Sequence, residues 1–135
     1  MTDQGQTDLN SLLRGLSPHL VEGVHVFVTL PPGHTPPPGL TPRMVFQETE
    51  GVTLILLKSE AEAHDLPCEF PCRMITLKVH SSLAAVGFIA RIATQLARVG
   101  MGVNPVSGFF HDHLFVPEAR ADEAMALLCS LAKGA

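Results

Sequence analysis

The chain has 135 residues, enough for one ordinary domain or two small ones. Hydrophobic residues make up 46% and charged residues 16%, which suffices for a buried core, and no apolar run approaches the roughly 20 residues of a membrane span. The net charge of −4, the lack of any basic run and the absence of Trp and Tyr argue against a nucleic-acid partner. The opening MTDQGQTDLN is polar and lacks the charged-then-apolar order of a secretory leader. With three cysteines, an odd number, the expectation is a cytoplasmic protein without a complete internal disulfide set.

In chain order, residues 1–7 are expected to be loose. Leu9, Leu12, Leu13 and Leu16 form a short helical stripe, capped by Asp8 or Thr7 and ended by Pro18. Gly23 to Leu30 sets Val24, Val26 and Val28 against His25, Phe27 and Thr29, the alternation of a strand with one buried face. Residues 31–42, PPGHTPPPGLTP, hold most of the prolines. Proline fixes φ and removes an amide donor, so this stretch reads as a surface loop. Arg43 to Thr49 and Val52 to Lys58 read as a hairpin about Glu50-Gly51, and residues 59–64 as a short helix opened by a Ser59 cap. Asp65 to Pro71 connects this half to the next strand.

Met74 to Val79 alternates again, with Ile75, Leu77 and Val79 on one side and Thr76 and Lys78 on the other. His80-Ser81-Ser82 breaks the strand, and either serine is a candidate N-cap. A helix is predicted from there to about Val99, its inward stripe formed by Val86, Ile89, Ala90, Ala93, Leu96 and Ala97, with Ile92 and Val99 alongside and Gly100 as its stop. Met101 to Phe110 reads as a strand that Pro105 confines to an edge or a bulge. His111-Asp112 reads as a turn, His113 to Val116 as a third strand, and Pro117 as the start of a last helix with Glu118 in its first turn.

The second half is therefore βαββα, the ferredoxin-like plan without its final strand. The first half, β-loop-ββα, is an abbreviated copy, and Phe70–Val79 can serve as the last strand of one module and the first of the next. The expected organisation is α/β, with two ferredoxin-like modules in tandem at residues 1–70 and 71–135.

The stretch ITLKV, the pair Val86-Gly87 at the helix entry, the apolar helix ending in Leu96-Ala97-Arg98-Val99-Gly100 and the strand beyond it resemble an ACT domain. VHSSLAAVG and FFHDHLFVP are similar, more narrowly, to a family of short bacterial proteins built from two ACT-like modules in tandem. The resemblance implies a ferredoxin-like fold and a non-catalytic, regulatory role exercised by binding a small molecule, an amino acid above all. ACT domains usually carry Asp-Arg-Pro-Gly at the first strand-to-helix turn. With Gly87 aligned, this chain has Ala84-Ala85-Val86-Gly87 there, His80-Ser81-Ser82-Leu83 is additional turn, and the acidic residue is missing. Asn104 stands two positions from the asparagine often found on the next strand.

The expected ligand site rests on the polar turn. Backbone amides at Ser81, Ser82, Leu83 and Ala84, with His80 beside them, would hold a carboxylate at the positive end of the helix. Gly87 would let the ligand approach, and Asn104 or His113 would face its amino end. Ordinary capping and close helix packing are the plain alternatives. The rival reading is a metal-binding protein or a metal-assisted hydrolase using His80, His111 and His113, since histidines at i and i+2 of a strand share a side. Its plain counterpart is a polar turn with half-buried imidazoles. Cys68 and Cys72 lack the further ligands of a zinc site, Glu48 and Glu50 read as solvated turn residues, and no GxSxG pattern is present. No catalytic residue is assigned and no cofactor is expected. An unpaired edge and the missing final strand predict a homodimer, with ligands near the module interface.

Overall fold

The structure, a computed structural model, describes residues 5–134. The expectation of a loose start falls partly on residues 1–4, outside that range. Within it, Gln6 is tied down, because its amide donates to the His80 carbonyl at 2.7 Å and its carbonyl accepts from Ser82 N at 2.8 Å. The first helix, α1 (Leu9–Gly15), is capped by Asp8, whose carboxylate accepts from Ser11 N at 2.9 Å. Leu12, Leu13 and Leu16 are buried, as the stripe predicts.

Proline 18 does not mark a gap. The next strand, β1 (Ser17–Leu30), begins before it and is 14 residues long, well beyond the predicted element. A proline at the second residue of a strand removes only one ladder donor, which an end position tolerates. Midway, Gly23 takes φ +97°, a left-handed conformation open to glycine. The remaining strands are β2 (Met44–Gln47), β3 (Val52–Leu57), β4 (Glu69–Lys78), β5 (Asn104–Ser107) and β6 (Asp112–Pro117). The helices are α2 (Lys58–Ala63), α3 (Phe88–Arg98) and α4 (Ala121–Lys133), the last entered through a 3-10 turn at Glu118–Arg120. The predicted Ser59 cap is absent, since α2 starts one residue earlier and Leu57 occupies the cap position without a side-chain bond.

The chain divides into two compact units. One takes the chain up to Glu22 and again from Arg73, and the other is Gly23–Cys72. The division falls inside β1 and inside β4, so each of these strands gives one segment to each unit.

In the Gly23–Cys72 unit, β3 pairs antiparallel with both β1 and β2, through Val26↔Leu56 and Val45↔Leu54 among others. The core is Val26, Val28, Val52, Leu54, Leu56 and Ala61, with Leu40 from the proline loop and Leu66 packed against it. In the other unit the strands lie in the order β1, β4, β6, β5, with β5 and β6 antiparallel. The first segment of β1 thus takes the place that the βαββα reading left vacant, and the missing final strand is supplied from within the chain. The guanidinium of Arg73 on β4 donates to the Val21 carbonyl at 3.1 Å. Leu12, Leu13, Ile75, Leu77, Ile92, Leu96, Leu114, Val116 and Leu128 fill the core beneath α1, α3 and α4. Mixed layers of helix on sheet with this strand order are ferredoxin-like modules. Among the described residues no helix is long and apolar enough to cross a membrane.

Candidate functional site

The connection from β4 to α3 departs from the predicted form. The serines do not start the helix. Ser82 instead builds a local turn, its hydroxyl accepting from Ala84 N at 3.1 Å and its carbonyl from Ala85 N at 3.0 Å. Such side-chain bonds offer the backbone an alternative to helix. The helix begins only at Phe88, after Gly87 turns the chain at φ +91°. The stripe shifts accordingly. Phe88, Ile92 and Leu96 face the core, while Val86 is 83% exposed and Ala90 and Ala97 point outward.

The shift relocates the free donors. The amides of Ser82 and Ala84, expected to be available, are spent on Gln6 and on the Ser82 hydroxyl. The first intrahelical bond is Arg91 N to Gly87 O at 2.9 Å, and α3 has no side-chain cap. Among the described residues, the amides of Phe88, Ile89 and Ala90 therefore have no acceptor, as the first turn of an uncapped helix dictates.

The residues that carry these amides border a cavity of about 250 Å³. Ser81, Ser82, Leu83, Gly87, Ser107 and Asp112 are among the residues that line it. Asp112 is not the turn residue that the sequence suggested. It opens β6, paired with Ser107 across the hairpin, and only 7% of it is exposed. Its carboxylate accepts from the Ser107 hydroxyl at 2.6 Å and from the buried Ser81 hydroxyl at 3.1 Å. A carboxylate has about four acceptor positions, so two hydroxyls do not exhaust it. Gly87 is not there to make room, since a Cβ would meet only Leu9 at 3.5 Å, an ordinary contact; its φ of +91° is what favours glycine.

The other predicted residues lie apart from the lining. Ala84 is exposed and bonded to Ser82. Asn104 opens β5 at an exposed position. The His113 ring contacts the Thr76 hydroxyl through Nδ1 at 3.0 Å, and the His80 ring packs on Phe110 at 5.3 Å and Phe109 at 6.3 Å between centroids. His111 lies against the Val79 carbonyl, Nδ1 to O 3.4 Å. Among the described residues no group of three His, Cys, Asp or Glu side chains is placed to hold a metal ion. Of the three histidines of the rival reading, His111 and His113 lie with ring centroids 6.5 Å apart, but one ring nitrogen of each contacts a different partner and His80 packs tilted against Phe109 and Phe110.

The fold defines a class: tandem small modules of ferredoxin-like plan with a polar pocket at one helix entry. An ACT-domain family model matches residues 4–73 and a second matches residues 69–130. The chain belongs to the ACT-domain family. A Vibrio cholerae protein of unknown function, described as a possible transport protein, is 38% identical over 92% of this chain and 95% of its own, with a TM-score of 0.83. An Agrobacterium tumefaciens protein shares 16% identity over 87% of this chain and 89% of that one, at a TM-score of 0.74. The regulatory subunit of aspartate kinase from Thermus thermophilus, in its ligand-free form, shares 10% identity over 84% of this chain and 95% of that one, at a TM-score of 0.62. Among curated proteins none matches the chain.

Proposed function

We propose that the protein is a non-catalytic regulatory module that reversibly binds a small metabolite, an amino acid, in the cavity at the entry to α3. One observation carries this reading: the cavity sets the three unpaired amides of Phe88–Ala90 near a buried carboxylate, Asp112. The amides and the positive helix end suit a ligand carboxylate. Asp112 suits an ammonium group, and it supplies from β6 the acidic function absent from the β4–α3 turn. A zwitterion satisfies both poles, whereas a simple anion meets Asp112 unfavourably. Membership of the ACT family and a fold shared with an aspartate kinase regulatory subunit support the regulatory part.

The protein acts as a homodimer in this proposal. The internal final strand removes one reason for pairing, and the remaining one is the edge. In the Gly23–Cys72 unit β2 is terminal, contains no proline, and leaves Val45 43% and Phe46 59% exposed. Such an edge is a template for a second copy. Ligand binding then acts by shifting the association equilibrium.

Thermal shift against the twenty standard amino acids tests the binding step, because a ligand at a hundred times its Kd adds about 2.7 kcal/mol to stability. At least one amino acid raises Tm in the native protein and fails to do so in Asp112→Asn. If no amino acid shifts Tm, the ligand class is wrong. If the shift persists in Asp112→Asn, the site is wrong. Sedimentation equilibrium with and without that amino acid then tests the regulatory step; an unchanged dimerisation constant removes it.

A further inference from the structure

A different cavity, of about 410 Å³, lies wholly within the Gly23–Cys72 unit and is lined by His25, Thr41, Pro42, Arg43, Leu57 and Glu60. Its construction begins with the proline loop. That loop returns to the sheet at Thr41-Pro42-Arg43, where Arg43 N donates to the Ile55 carbonyl at 2.7 Å and seats the arginine at the head of β2. Below it His25 is fully buried on β1, and Arg43 Nε contacts His25 Nε2 at 3.4 Å. With Nε the donor, that ring nitrogen is an acceptor, and the contact aims the guanidinium fork. On the far side, Glu60 in the first turn of α2 is steadied by Thr41, whose amide donates to Oε2 at 3.0 Å and whose hydroxyl lies 3.4 Å from each oxygen.

Arg43 and Glu60 are opposite charges facing one cavity, yet among the described residues they do not pair with each other. The terminal nitrogens of Arg43 likewise have no partner among those residues. Two charges of opposite sign, each tethered by a different neighbour at the open rim of the cavity, are complementary to a ligand that carries both signs. Pro42 and Leu57 add apolar wall to a cavity of small-molecule size.

We propose that this cavity is a second binding site for a small zwitterion, of which a free α-amino acid is the simplest form. The Arg43 fork takes the carboxylate in the bidentate manner that guanidinium geometry favours. Glu60 Oε1, the less engaged oxygen, takes the ammonium. The site is independent of the cavity beside α3 and uses none of its residues.

The experiment is a titration of the full chain, followed by amide 1H–15N correlation spectra, with L-alanine, L-serine and L-leucine, and with propionate and ethylamine as the two half-probes. At millimolar ligand, at least one of the amino acids moves the amides of Thr41, Arg43 and Glu60, and each half-probe binds more weakly. Arg43→Gln weakens binding at these amides by about tenfold or more, the scale of one lost charge-assisted contact. Arg43→Lys, which keeps the charge without the fork, is also weakened and serves if the glutamine variant does not fold. Asp112→Asn leaves these shifts unchanged, which separates this site from the other. Absence of shifts at the three amides with all three amino acids overturns the proposal, as does unaltered binding in Arg43→Lys. Propionate binding as tightly as the amino acids overturns the role of Glu60 and with it the zwitterion.

Discussion

Asp112 makes a prediction separable from ligand binding. Truncation in Asp112→Ala leaves the buried Ser81 hydroxyl without its acceptor, while the exposed Ser107 hydroxyl turns to water. Leaving such groups unsatisfied costs about 1–3 kcal/mol, so urea denaturation of Asp112→Ala is expected to show a lower midpoint with an unchanged slope. Gly87 is a second case. Its φ of +91° is strained for any L side chain, whereas the space around a Cβ is ordinary. Gly87→Ala is therefore expected to lose about 1–2 kcal/mol through the backbone alone, read from the same denaturation curve. The difference in legibility between these residues is physical. Asp112, Leu114 and Val116 fall at i, i+2 and i+4, so period-two alternation places Asp112 on the face that carries buried Leu114 and Val116. That signal is present but masked by the turn-like pair His111-Asp112. What no local pattern contains is the partner Ser81, thirty-one residues away. Arg43 and Glu60 are hidden likewise, since nothing local shows that the end of a proline loop returns to face a helix seventeen residues on, and only Thr41 and its bonds to Glu60 make the two charges neighbours.

Helix ends are set by side chains that local sequence partly reveals. For α1, Asp8 is legible as a cap, and the Ser11 hydroxyl and amide hold its carboxyl below the usual aspartate range. A carboxyl lowered by folding adds stability above its unfolded pKa and loses it as pH falls through the folded one. Asp8→Ala is thus expected to lower Tm at neutral pH, with the deficit shrinking as the solution is acidified below the carboxylate range. For α3, the start is misplaced by the pattern because Ala84, Ala85 and Val86 continue an apolar, helix-compatible run, while the bonds of Ser82 and the turn at Gly87 are decided over two or three residues. Its far end is legible at Gly100, where φ is +70°. The clamp there is not. Arg120 donates to the Val99 carbonyl at 2.8 Å and to Gly100 at 3.1 Å, and Glu123, 2.9 Å away, keeps the guanidinium firmly protonated. Arg120→Ala is expected to speed amide exchange in the last turn of α3 while leaving that of its first turns unchanged.

At the scale of the whole molecule, the ferredoxin-like plan is legible because it depends on periodicity and element order, which survive errors of a few residues at each boundary. Core positions such as Leu12, Leu77 and Leu96 are readable for the same reason. The length of β1 is not, because Pro18 and Gly23 both punctuate a strand that tertiary pairing carries through. Replacing Leu96 by Ala removes a fully buried side chain, and a loss of about 2–5 kcal/mol is expected, against under about 1 kcal/mol for exposed Val86→Ala.

The division of β1 has a practical corollary for anyone who cuts the gene. A fragment starting at Arg73 keeps the second part of β4 with β5, β6, α3 and α4 but forfeits both α1 and the β-segment that flanks β4 in the same unit. It would be born with a raw hydrogen-bonding margin and an uncovered Leu-rich seam, and should precipitate or self-associate. A synthetic peptide of residues 5–22 added in trans should restore a soluble complex, so the two ends of this polypeptide are better regarded as complementing halves of one body than as the outskirts of two.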